Sequence, residues 1–145
     1  MKIIIEESQI GEEEQIIVKC RHISLELLRL LNAIKTQEMV LIAYIDNEIH
    51  RVSPLDIYYI ETVDNKTFMY CENNVYESRQ KLYELEEALT GSDFLRISKS
   101  VIVSLRKIKS LAPALSGRLE ATLMNNEKLI ISRQYVSELK KCLAI

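Results

Sequence analysis

Lys99 stands between Ser98 and Ser100, directly after the strand-like run Phe94-Leu95-Arg96-Ile97, and Arg133 follows Ser132 at the end of a second apolar run, Lys128 to Ile131. Small hydroxyl side chains let a phosphodiester approach closely while the Lys supplies charge. The planar fork of Arg133, with the amide of Gln134 beside it, can bond both acceptors on a guanine edge. Lys66 and Thr67 sit at the turn of the hairpin running from Tyr58 to Cys71 and offer a third such cluster. One cation on a turn is most often only solvated charge. Three clusters at the ends of strands in one β-rich chain point to a phosphate backbone.

The rest of the composition argues against catalysis. His22 and His50 lie in unrelated contexts, and three Gly in 145 residues leave no glycine-rich phosphate loop. There is no nucleophile elbow and no metal-binding His-Glu-x-x-His motif. Cys20, Cys71 and Cys142 form no Cys-x-x-Cys pair and read as reduced thiols. The expectation is therefore a non-enzyme without cofactor, metal or small-molecule substrate. Net charge is −2, but residues 1–90 hold 9 basic against 17 acidic residues and residues 91–145 hold 10 against 4. A polyanion would be met mainly by the basic rear. The N-terminus turns acidic at Glu6-Glu7 before a signal-peptide core can develop, and no apolar run reaches membrane-spanning length, so a cytoplasmic location is expected.

The elements that must position these residues are short. Residues 2–5 and 16–20 are β-branched runs, read as two strands separated by Glu12-Glu13-Glu14. Ser24 is placed as an N-cap, and Leu25, Leu27, Leu28, Leu30, Leu31 and Ile34 give residues 24–35 a broad apolar face at helical spacing. From Met39 the period shortens to strands, with Asp46-Asn47, Asp64-Asn65-Lys66 and Asn73-Asn74 as turns. Leu82, Leu85, Ala88 and Leu89 mark a short amphipathic helix stopped by Thr90-Gly91. Strands resume through Phe94 to Ile97, Val101 to Leu105, Ile108 to Ala112, Arg118 to Met124 and Lys128 to Ile131, with turns at Ser116-Gly117 and Asn125-Asn126. A terminal helix opens near Ser132 and ends in Lys140 and Lys141. The fold class expected is mainly β with small helices, an antiparallel fold preceded by a short strand-strand-helix segment.

At these residues the chain resembles the LytTR family, the DNA-binding domain of AgrA/LytR-type bacterial transcription regulators. The carriers are Ile57-Tyr58-Tyr59-Ile60-Glu61, the helix from Leu82 to Glu87, Phe94-x-Arg96-x-Ser98-Lys99-Ser100-x-Ile102-Val103, Lys107-Ile108, and Ile131-Ser132-Arg133-Gln134-Tyr135. The similarity covers roughly Met39 to Leu143 and implies a mostly antiparallel β domain, 39–145, whose loops enter double-stranded DNA. By that resemblance the contacts fall at Lys66 or Thr67, at Ser98, Lys99 and Ser100, and at Arg133 with Gln134. The outer two would reach base edges in successive major grooves, with Lys99 nearer the intervening backbone. Many members carry His at Ser98 and Asn at Ser104, so the target sequence should differ from theirs.

Such regulators carry a receiver of about 120 residues ahead of this domain, and 38 residues cannot hold one. Residues 1–38 are therefore expected to be a small segment of a stand-alone form, pairing two copies as a homodimer through Leu27, Leu28, Leu31 and Ile34. The reading is a sequence-specific transcription regulator. The alternative is a protein-interaction module for a membrane-protein partner, and RNA binding ranks last because the seven Tyr are not arrayed for base stacking.

Overall fold

The computed structural model describes residues 2–145. Helix α1 spans Leu25–Glu38 and begins where the sequence places its cap, with the Ser24 hydroxyl accepting from the Leu27 N–H at 3.1 Å. Ten strands follow: β1 Leu41–Ile45, β2 Glu48–Val52, β3 Ile57–Val63, β4 Lys66–Cys71, β5 Val75–Ser78, β6 Phe94–Arg96, β7 Val101–Ser104, β8 Ile108–Pro113, β9 Leu119–Leu123 and β10 Lys128–Ile131. Helix α2, Leu82–Ala88, lies between β5 and β6, and α3, Arg133–Cys142, closes the chain. The turns form where Asp and Asn tolerate left-handed backbone, with Asp64 and Asn65 at φ 49° and 62°.

All strand pairings are antiparallel, but the strands divide into two sheets. Seven strands run in the order β2-β1-β5-β4-β3-β7-β6, and three in the order β10-β9-β8. Leu82 and Leu85 of α2, with Leu89 at its C-cap, cover one face of the large sheet over Ala43, Ile60, Met69 and Ile102. The small sheet and Leu139 of α3 cover the other face over Tyr59, Val101 and Val103, through Ala121, Leu123 and Ile131. β7 is consequently buried along its whole length, and β3 over Ile57 to Ile60, which is why both read as unbroken apolar runs. A register shift between Ile57 and Tyr59 sends Tyr58 and Tyr59 into the same core.

The front of the chain differs from expectation. Residues 2–5 and 16–20 form no strand, and their side chains are exposed. Two short runs offered to no third strand or helix lack the surface that stabilises a ribbon in water. The helix forms, but its apolar residues are divided: Leu27 is only 9% exposed and packs inward, Leu31 and Ile34 are half-buried, and Leu28 remains 45% exposed. Leu27 is therefore not on the exposed face of the helix. The same helix approaches the end of α2, where the Asn32 amide lies 3.5 Å from the position a Cβ on Gly91 would take.

Candidate nucleic-acid interface

The loop Ile97 to Ser100 is built by three sets of bonds. The Ile97 N–H donates to the Val101 carbonyl at 3.0 Å, and the Ser98 hydroxyl accepts from the Ser100 N–H at 3.2 Å. Arg96, half-buried beneath the loop, donates from Nε to the Ser98 carbonyl at 2.7 Å and from its terminal nitrogen to the Lys99 carbonyl. Its other nitrogen pairs with Glu86 of α2 at 3.0 Å. A guanidinium that spends its donors on two successive carbonyls fixes the loop and leaves the exposed Lys99 side chain to point its charge outward.

Two further segments are tied to this loop. The Ser132 N–H donates to the Ile97 carbonyl at 2.9 Å, holding the start of α3, and with it Arg133 and Gln134, against the loop. The Thr62 N–H donates to the Ser100 carbonyl at 2.9 Å, so the β3–β4 turn lies at the same end of the large sheet. The connection from β8 to β9 joins from the small sheet. Ser116 and Gly117 adopt positive φ there, and Gly117 lies directly under the Arg133 side chain.

The result is an open cleft of about 580 Å³ lined by Ser98, Lys99, Ser100, Ser116, Arg118, Ser132, Arg133 and Gln134. Three cations, four hydroxyls and an amide face it without a carboxylate. That donor set suits phosphate oxygens and base-edge acceptors. Among the described residues, no group of three His, Cys, Asp or Glu is placed to hold a metal ion.

Of the residues singled out in the sequence, Ser98, Lys99, Ser100, Arg133 and Gln134 meet in this cleft. Lys66 is exposed on the neighbouring turn, outside the cleft and next to the opposing charge of Asp64. Thr67 is a correction: it is 4% exposed, and its hydroxyl lies 3.3 Å from that of Thr62. Strand alternation puts Thr67 on the same side as Met69, facing the core, so it has no path to a base. Ser104, the other departure from the family pattern, is likewise buried. Arg118 and Ser116 were missed. Ser116-Gly117 is legible as a turn, and the basic residue following it is the same signal that picked out Lys99 and Arg133.

A mainly antiparallel β domain that gathers cations and hydroxyls on loops at one end of its strands has the donor set of a nucleic-acid-binding domain. The chain belongs to the LytTr DNA-binding domain family, whose sequence model matches residues 47–144. A solved LytTr DNA-binding domain from Bacillus cereus superposes with a TM-score of 0.70 at 25% identity, covering 74% of this chain and 99% of that one. The sensory transduction protein LytT of Enterococcus faecalis is 28% identical over 100 residues, 69% of this chain and 41% of its own length. An HTH-type transcriptional regulator of Staphylococcus aureus is 31% identical over 105 residues, 72% of this chain and 71% of its own. Among the described residues here, strands separate all three helices, so no helix-turn-helix is formed.

Proposed function

We propose that the chain is a sequence-specific transcription regulator that binds double-stranded DNA through the loops of this cleft. The carboxylate-free grouping of Lys99, Arg118 and Arg133 carries the reading. Arg133 reads a guanine edge from the first turn of α3, with Gln134 beside it, and Lys99 and Arg118 take phosphates on either side. Ser98, Ser100 and Ser132 let the backbone of the duplex come close. Lys66 adds a more distant phosphate contact from the β3–β4 turn. A regulator of this kind acts where the chromosome lies, consistent with a cytoplasmic location. No helix among the described residues is long and apolar enough to cross a membrane.

The test is competition binding at matched salt. Arg133→Ala should lose about 1 to 3 kcal/mol at one base position and bind substituted sites at that position nearly equally. Equal affinity of wild type and variant for the preferred duplex would overturn the assignment.

A further inference from the structure

Residues 2–23 are not absorbed by the DNA-binding reading, and Ile3, Ile4, Ile5, Ile16 and Ile17 among them are each at least 67% exposed. The chain reverses at Ile10-Gly11, where Gly11 has φ +94° and the Glu12 N–H donates to the Gln9 carbonyl at 3.1 Å. The two runs then lie side by side with their residues alternating. Lys2, Ile4 and Glu6 line one side with Gln15, Ile17 and Lys19, around a shared cavity. The alternate positions are Ile3, Ile5, Ile16 and Val18, which are 82%, 88%, 72% and 41% exposed. One side of this arm sets Ile4 and Ile17 among charged and polar residues, and the other brings Ile3, Ile5, Ile16 and Val18 together between the acidic tip and the base.

The arm is also polarised along its length. Glu6, Glu7, Glu12, Glu13 and Glu14 all lie within five residues of the reversal, and Lys2, Lys19 and Arg21 all lie at the far end. Laid face to face and head to tail, two such arms put the acidic tip of each over the basic base of the other. Laid in the same direction they oppose like charges. This pattern is self-complementary about a two-fold axis perpendicular to the arm and not about one running along it.

We propose that residues 2–23 are a dimerisation arm whose Ile3, Ile5, Ile16 and Val18 face packs antiparallel on the same face of a second copy. Each face offers on the order of 500 Å² of apolar surface, so two together reach the roughly 1,000 Å² expected of a specific interface. Pairing also gives the ribbon the additional surface whose absence leaves its two runs without a hydrogen-bonded ladder.

Sedimentation equilibrium of the full chain without DNA tests the arm directly. Wild type should have the mass of two chains at micromolar concentration, with association tightening as salt falls. Ile5→Glu/Ile16→Glu should raise the dissociation constant roughly 100-fold or more, since it buries charge at the centre of the contact. Neither residue touches the folded core, so circular dichroism should not change. Reversing the tip with Glu12→Lys/Glu13→Lys/Glu14→Lys should weaken pairing of the variant with itself, because each basic tip then lies over a basic base, and pairing of the variant with wild type, which keeps one of the two opposed-charge contacts, should be intermediate. A monomeric wild type, or a double variant that pairs as tightly, would overturn the proposal. So would a monomer that floats with phosphatidylcholine vesicles through the arm. A dimer that binds no duplex would instead defeat the DNA reading and leave the arm standing, and the double variant should hold a single half-site as tightly as wild type.

Discussion

The Cβ that Gly117 lacks would stand 2.9 Å from Cδ and 3.1 Å from Cγ of Arg133. A base-reading arginine gains discrimination only if its stem is held, and here the backbone of the β8–β9 connection does the holding. Gly117 also has φ +75°, a conformation that L side chains adopt at a cost. Gly117→Ala should therefore destabilise the fold by about 1 kcal/mol and push the Arg133 stem aside. The expected result is a small drop in melting temperature together with loss of preference at the Arg133 base position. Melting curves and competition with single-base variants of the site check the two effects separately.

Arg118 and Lys99 are assigned to phosphates, so their loss should be insensitive to sequence. Arg118→Ala and Lys99→Ala should each reduce the slope of log K against log salt by about 0.9, with base preferences unchanged. Titrations over a range of salt concentrations decide this. A slope equal to that of wild type for Arg118→Ala would remove the β8–β9 loop from the contact surface.

Thr67 and Lys66 should separate cleanly. Thr67→Val keeps the shape but leaves the Thr62 hydroxyl without its partner, so it should cost about 1 kcal/mol of stability and nothing in DNA preference. Lys66→Ala should leave stability unchanged and lower affinity for all duplexes alike. Urea unfolding and binding isotherms on the same preparations distinguish the pair.

Much of this was legible because local chemistry and global fold agree. Ser24, Asp46-Asn47, Asp64-Asn65 and Gly91 are residues whose side chains or backbone freedom name a cap or a turn, and each sits where the chain turns or stops. The cluster of Ser98 to Ser100 with Arg133 and Gln134 was visible as turn-borne polar residues, although only the bond from Ser132 to the Ile97 carbonyl makes them one site. What local pattern could not supply is which strand sides meet the core. Thr67 looked available because it follows a turn, yet the parity it shares with Met69 sends it inward. The runs at 2–5 and 16–20 have strand composition, but a strand needs a partner that composition does not reveal. Separation of β8, β9 and β10 into their own sheet was hidden for the same reason.

The thiols give a pH prediction. Burial, reinforced by Asp56 and opposed by Lys107, pushes the Cys71 thiol up to about 11, well above the ordinary thiol range. The folded chain thus holds this proton more tightly than the unfolded one. Its contribution to stability is complete below about pH 9 and is lost as pH rises toward 11. Denaturation midpoints should fall over that window, by less in Cys71→Ala. At pH 8.5, alkylation should label the exposed Cys20 well before Cys71, as peptide mass mapping would show.

β7 along its whole length, and β3 over Ile57 to Ile60, are sealed between both cores, and β7 begins directly after Ser100 of the cleft. Opening them requires dismantling the whole domain, so the groups proposed to meet a duplex are pre-set before the encounter. Little ordering entropy then remains to be lost on docking, and affinity is free to follow the chemistry of the target sequence.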